Sequence, residues 1–126
     1  MADELVPAIV RDGFSIRVEG TASYSLVLSG NADMEMLSVL GSFLAELHKK
    51  LRARRVASVR VDFRDLYFMN SSCFKSFIVW IASIKKLDVP DSYLVRFVTN
   101  PAFRWQARNI EAMQEFAPHV VVIEKT

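Results

Sequence analysis

The feature that most constrains the fold is the alternation of two apolar periodicities along the 126-residue chain. Two short runs, residues 14–19 and 24–29, have the spacing and composition of β-strands and flank a glycine, which predicts a hairpin. From Leu37 to Leu51, leucines recur at three- and four-residue intervals, which predicts a helix. Strand and helix patterns then alternate along the chain. We therefore expect an α/β fold, a mixed β-sheet with an N-terminal hairpin and helices packed against it.

The remaining elements follow from the same patterns and from turn-forming residues. Asn100 and Pro101 suit the N-cap and first position of a third helix, which we expect to run to about residue 116. In chain order, the other predicted features are a turn at residues 30–33, a strand at 56–63 with a short apolar extension at 66–69, a helix after Asn70, a strand at 93–99 and a final strand at 120–123.

Length and charge limit the classes of function. A chain of 126 residues suits one domain, residues 1–126. The net charge of +2 is too small for a dedicated nucleic-acid binder, and the longest apolar run, residues 77–82, is too short to cross a membrane. A lone cysteine, Cys73, and the acidic opening Met-Ala-Asp-Glu-Leu favour the cytoplasm. We expect no direct contact with nucleic acid or membrane.

Residues that could support catalysis are few. Cys73 precedes a predicted helix, where thiol pKa values can fall, and His48 or His119 would be its candidate base. Neither histidine lies in a recognisable motif, and a free cysteine beside an apolar helix face is usually a small core residue. No residues have metal-ligand spacing, and the four glycines form no phosphate-binding loop. We expect a non-enzymatic protein without cofactor or metal.

Two further features have alternative interpretations. Cations concentrate at residues 49–55, either as a phosphate-binding patch or as the solvated end of the first helix, and we favour the helix end because the helix dipole attracts positive charge there. The second predicted helix is apolar around nearly its whole circumference. Trp80, with Val79 or Ser76, therefore either contributes to a patch for a partner or a second copy of the chain, or lies in a deeply buried helix.

The turn at residues 70–72 carries the main functional hypothesis. Asn70, Ser71 and Ser72 lie between a predicted strand and a predicted helix, at the edge of the sheet where partners usually dock. A phosphate on a serine there would add about −1.5 to −2 charges beside backbone N–H groups that tolerate an anion. A partner docked over the turn would then be repelled. The alternative is that Ser71 and Ser72 only cap the helix.

Two segments resemble the STAS family, which occurs in anti-sigma-factor antagonists and in the cytoplasmic tails of sulfate-type anion transporters. Leu26-Val-Leu-Ser-Gly-Asn-Ala-Asp33 is similar to the family's strand and apolar-Ser/Thr-Gly-x-x-Asp loop. Val61-Asp-Phe-Arg-Asp-Leu-Tyr-Phe-Met-Asn-Ser-Ser-Cys73 is similar to its Asp-Leu-Ser…Asp-Ser-Ser-Gly segment. The resemblance runs from about Phe14 to Ile123. This chain has Asn70 and Cys73 where the family has Asp and Gly.

The resemblance implies a partner-switching protein of the anti-sigma-factor-antagonist type. Its phosphoacceptor would be Ser71, with Ser72 as second choice, and Asp33, Asn70, Ser71 and Ser72 would form the contact surface. It would bind a serine kinase that doubles as an anti-sigma factor, and a serine phosphatase would reset it. The alternative is a constitutive scaffold or ligand-sensing STAS module, in which the changes at Asn70 and Cys73 have retired the phosphosite.

Overall fold

A computed structural model describes residues 4–124, so the first three residues of the acidic opening segment lie outside it. Within this range, six strands and three α-helices follow one another. The strands are β1 (Ile9–Arg11), β2 (Phe14–Glu19), β3 (Tyr24–Ala32), β4 (Ser58–Met69), β5 (Leu94–Val98) and β6 (Val121–Glu124). The helices are α1 (Leu37–Ala53), α2 (Ser71–Lys85) and α3 (Arg104–Phe116).

The strands form one sheet in sequential order, β1-β2-β3-β4-β5-β6. The first three strands pair antiparallel, and β3 to β6 pair parallel. Each parallel connection moves to the next strand in the same direction, so right-handed crossovers place all three helices on one face. The buried residues of these helices share one apolar core with the sheet, and this confirms the predicted fold class. Arg17, Arg60 and Arg96 are exposed on the strands.

The core beneath the helices confirms the predicted periodicities. Helix α1 buries the apolar face that the leucine spacing indicates, with residues Leu40, Phe43, Leu44, Leu47 and Leu51. Phe63 of β4 makes edge-on aromatic contacts with Phe77 of α2 and Phe97 of β5, with both pairs of ring centroids 5.4 Å apart. Within residues 4–124, every helix is too short or too polar to cross a lipid bilayer.

Residues 30–32 of the predicted turn are instead the last part of β3, which pairs with β4 as far as Ala32, and only Asp33 lies beyond the strand. Gly30 has a φ of +89°, and a Cβ built there would lie 2.0 Å from the carbonyl oxygen of Gly13. Only glycine fits this approach. The backbone N–H of Asn31 then donates to the same carbonyl at 2.8 Å. The short strand β1, which the sequence analysis missed, pairs with β2 beside this contact.

Strand β4 is one continuous strand of 12 residues, not a strand followed by a separate segment. Its register against β3 shifts twice, between Val27 and Ser29 and between Gly30 and Asn31, where β4 contributes extra residues. Its pairing with β5 ends at Asp62. The second half of β4 therefore extends beyond β5 and needs other groups to satisfy its free backbone edge.

The third helix begins at Arg104, four residues after the predicted N-cap Asn100. The Asn100 side chain closes a local turn instead, because its Oδ1 accepts a hydrogen bond from the Ala102 N–H at 2.9 Å. Its Nδ2 donates to the carbonyl oxygen of Arg64 in β4 at 3.0 Å. The prediction that the Asn-Pro pair opens the third helix was therefore wrong.

Candidate functional site

Ser71 is the first residue of α2 and its side chain is exposed. The residue before it, Asn70, has extended backbone geometry, and its Oδ1 accepts a hydrogen bond from the Ser72 N–H at 2.8 Å. This is N-cap geometry. Asn70 therefore caps the helix, and the alternative in which the two serines cap it is wrong. Ser71 is exposed beside the cap, and the capping hydrogen bond at this helix end does not use its hydroxyl.

The loop at Asp33 lies directly beside this turn. The Asn70 N–H donates to the carbonyl oxygen of Ala32 at 2.7 Å, which continues the β3–β4 pairing to the edge of the sheet. The Cys73 thiol donates to the Asp33 carbonyl oxygen at 3.2 Å. The exposed Asp33 carboxylate accepts from the Glu35 N–H and begins a short helical turn, Met34–Met36. The chain thus brings Asp33, Asn70, Ser71 and Ser72 together at one edge.

Cys73 does not have the environment of a nucleophile. Burial, followed by the nearby Asp33 carboxylate, raises the pKa of its thiol, so the thiol stays protonated near neutral pH. The candidate base His48 instead forms a hydrogen bond with Tyr93, and His119 is exposed beside β6. Within residues 4–124, no three His, Cys, Asp or Glu side chains lie close enough together to hold a metal ion.

Exposed apolar side chains lie at the same end of the sheet as Ser71. Met34 follows Asp33 and is 57% exposed, while Tyr67 and Phe68 at the end of β4 are 56% and 47% exposed. Phe68 is paired with Asn31 of β3, so these side chains lie at the same end of the sheet as Ser71. We call Met34, Tyr67, Phe68 and Ser71 the rim surface. Exposed aromatic residues close to one another are typical of protein-binding surfaces.

The start of α3 holds the end of β4 in place. The Gln106 side chain is fully buried, and its Nε2 donates to the carbonyl oxygens of Phe63 at 2.7 Å and Leu66 at 2.8 Å. The Trp105 indole N–H donates to the Tyr67 carbonyl oxygen at 2.9 Å. These side chains satisfy the backbone edge that β5 leaves free. Neither residue was predicted from the sequence, because the partners of both lie in β4, about 40 residues earlier in the chain.

The structure excludes Trp80 from an exposed patch. Its side chain is only 3% exposed, and its indole N–H donates to the Tyr93 hydroxyl at 2.9 Å. Trp80 therefore belongs to the core, the second of the two alternatives drawn from the sequence. Its neighbour Val79 is 66% exposed, whereas Ser76 is half-buried.

One comparison with known proteins supports the fold, and two found no match. No protein-family model matches the sequence, and no curated protein matches it. The crystal structure of an anti-sigma factor antagonist from Mycobacterium paratuberculosis is similar, with a TM-score of 0.62 and 15% sequence identity. The alignment covers 90% of this chain and 88% of that one. The two chains share a fold, which confirms the STAS-like architecture expected from the sequence.

Proposed function

We propose that the chain is a partner-switching protein of the anti-sigma-factor-antagonist type, controlled by phosphorylation of Ser71. The observation that carries this proposal is the exposed Ser71 hydroxyl at the first position of α2, left available because Asn70 caps the helix. The fold shared with an anti-sigma factor antagonist supports the class of protein. The partner would be a serine kinase that doubles as an anti-sigma factor, and a serine phosphatase would reset the switch.

In this proposal the unmodified rim surface docks on the kinase. The exposed side chains of Met34, Tyr67 and Phe68 would lose contact with water there, which favours association. The kinase would transfer the γ-phosphoryl group of its ATP to the Ser71 oxygen and release ADP, and a base on the kinase would accept the hydroxyl proton. The chain supplies the acceptor and the docking surface, and the partner supplies the catalytic groups.

Phosphorylation would then release the partner without unfolding the chain. Backbone N–H groups at the start of α2 tolerate an anion, so the helix remains capped and folded. Burying an unpaired charge at an interface costs several kcal/mol, which is a large share of the affinity of a transient complex. Ser71 suits this role better than Ser72, which is half-buried.

The direct test is binding of the kinase partner to Ser71→Asp and Ser71→Ala variants of the full chain. We expect Ser71→Ala to bind like the wild type, and Ser71→Asp to bind at least about 100-fold more weakly because a charge enters the interface. Ser23→Asp is a matched control, since it adds the same charge at an exposed position in the β2–β3 turn. Circular dichroism checks that each variant is folded.

The same experiment separates the switch from a constitutive scaffold. Equal binding by folded Ser71→Asp and by the wild type would favour the scaffold. Loss of binding by Ser23→Asp as well would indicate a general effect of charge and would remove the support for a specific switch at Ser71.

A further inference from the structure

A concave surface lies at the opposite end of α1 from the rim surface. It is formed by the last turns of α1, the two residues that follow Arg54, and the segment from Pro90 to Tyr93, and it encloses about 460 Å³. Helix α1 has 17 residues, so this end is about 25 Å from the Asp33 loop. The two surfaces are therefore independent in position.

Positive side chains converge on this surface. Lys49, Arg52 and Arg55 all line it and all are exposed. None of the three forms an ion pair with any residue in the range 4–124, whereas the neighbouring Lys50 lies 3.9 Å from Glu46. The lining carries one carboxylate, Asp91, so three cations face it against one anion. We call this the cationic cleft.

The backbone holds Arg55 in an unusual conformation. Its φ is +52°, in the left-handed region, at a helix end where glycine is the usual residue. The N–H groups of Arg55 and Val56 donate to the carbonyl oxygens of Arg52 and Leu51, which completes the common glycine-type helix terminus. The chain thus places a guanidinium at the cleft where a glycine would fit the backbone better.

The floor of the cleft is a fixed chain of hydrogen bonds. The Tyr93 hydroxyl accepts from the Trp80 indole N–H at 2.9 Å and lies 2.6 Å from His48 Nδ1. Within residues 4–124, Nδ1 is the one hydrogen-bond acceptor at the buried Tyr93 O–H, so we assign the hydroxyl proton to this bond and the proton of the neutral imidazole to Nε2. Burial and the Arg52 guanidinium lower the pKa of His48, consistent with a neutral ring. His48 is thus a further hydrogen-bond donor in the cleft lining.

From this arrangement we infer that the cationic cleft binds a small anion of the phosphate type that carries two or more negative charges. Three cations that form no ion pair within residues 4–124 and an imidazole donor match the several acceptor oxygens of such a ligand. If the cations only stabilised the solvated end of α1, they would not need to line one concave surface together. This site does not depend on phosphorylation of Ser71, because it lies at the other end of α1.

Trp80 provides a readout, because its indole N–H bonds to the Tyr93 hydroxyl at the cleft floor. Trp105, whose indole N–H bonds to Tyr67 at the rim, provides the internal control. Pyrophosphate would be titrated into the ¹⁵N-labelled full chain at constant ionic strength, with both indole resonances followed by NMR. We expect a saturable shift of the Trp80 resonance, with a Kd of about 0.1–1 mM, and no saturable shift of Trp105.

Variants then locate the site. Arg52→Glu removes one charge-assisted contact and should weaken binding at least about tenfold, whereas Arg54→Glu, an adjacent exposed arginine outside the lining, should change it less than about twofold. Arg55→Gly removes a cation but relieves the backbone, so it should weaken binding while keeping or raising the unfolding midpoint. Misfolding cannot produce that combination.

Three outcomes would overturn the inference. The first is a linear, unsaturated shift of both indole resonances, which would mean diffuse attraction only. The second is equal weakening by Arg52→Glu and Arg54→Glu. The third is citrate binding as tightly as pyrophosphate, which would show that the cleft responds to charge and does not select phosphate.

Discussion

Ser71 in the rim surface and Tyr93 in the cationic cleft both carry a hydroxyl group, and these two groups are held in opposite ways. Ser71 is exposed because Asn70 satisfies the start of α2. Tyr93 is buried, bonded to Trp80 and near His48, and burial raises the pKa of its phenol. A charge can therefore be added at Ser71 without disturbing the core. The Tyr93 hydroxyl, in contrast, is held in place by its hydrogen bonds and is not available for modification. The neighbours of a hydroxyl, more than its residue type, decide whether it is available for modification.

The largest expected effect tests whether the rim depends on α3. Gln106→Leu leaves the carbonyl oxygens of Phe63 and Leu66 without their buried donor, so we expect the free energy of unfolding to fall by about 3 kcal/mol. Gln114→Leu is the same change on the same helix, but Gln114 is half-buried and makes only a 3.5 Å contact with Val121. Its effect should stay below about 0.5 kcal/mol.

Urea denaturation measures both variants. Hydrogen exchange should show a larger loss of protection at residues 67–69 than at residues near the cleft in Gln106→Leu. Equal losses of stability in the two variants would mean that Gln106 has no special role in holding β4.

The next effect compares two exposed apolar positions. Phe68→Asp places a charge within the rim surface, and we expect it to weaken binding of the kinase partner by at least about tenfold, or about 1.4 kcal/mol. Val79→Asp places the same charge on the exposed side of α2, away from the rim, and should leave binding unchanged. Calorimetric titration measures the affinity of both variants for the kinase partner. Weaker binding by Val79→Asp than by Phe68→Asp would mean that the partner docks on α2 and not on the rim surface.

A smaller effect concerns the helix cap. Asn70→Ala removes the acceptor for the Ser72 N–H and should lower the free energy of unfolding by about 1 kcal/mol. Ser71→Ala should lower it by less than about 0.5 kcal/mol, since Ser71 is not the capping residue. Thermal or urea unfolding measures the loss of stability in both variants. A larger loss of stability in Ser71→Ala than in Asn70→Ala would mean that Ser71, and not Asn70, caps the helix.

The smallest effect is a dependence of stability on pH through His48. Burial and Arg52 lower its pKa in the folded protein, so the unfolded chain takes up the proton first. Stability should fall as the pH drops through about 6.5 and reach its new level below the folded-state pKa. The other charged or titratable groups that line the cleft with His48 and Arg52 are Lys49, Arg55, Asp91 and Tyr93.

Urea midpoints of the wild type and of His48→Gln should therefore be compared between about pH 7.5 and about pH 5.5. We expect the wild type to lose more stability over this interval, because the glutamine does not titrate. Parallel curves for the two proteins would mean that His48 is not held neutral by its surroundings.

Local periodicity was enough to predict most of the fold. The leucine spacing of α1 and the strand-to-helix junction at Asn70 both depend on neighbouring residues, and both predictions were confirmed. The last residues of β3 looked like a turn because their pairing partner lies in β4, more than 30 residues away. Asn100 looked like an N-cap because its partner in β4 is equally distant.

In the candidate site, too, features set by neighbouring residues were predicted and features set by distant contacts were not. The edge position of Ser71 followed from the chain order of strand, polar turn and helix. The burial of Trp80 did not, because the hydroxyl that accepts its indole N–H belongs to a segment beyond the end of α2. The cations of the cleft and His48 lie next to one another in the sequence, but nothing local placed Tyr93 beside them.

The central claim is that Ser71 is the phosphoacceptor whose charge controls docking. Its most direct test is mass spectrometry of the peptide containing Ser71 and Ser72, taken from native protein separated into partner-bound and free fractions. The account predicts a single phosphate on Ser71 in the free fraction and unmodified Ser71 in the bound fraction. Equal phosphorylation of Ser71 in both fractions, or its absence from both, would contradict it.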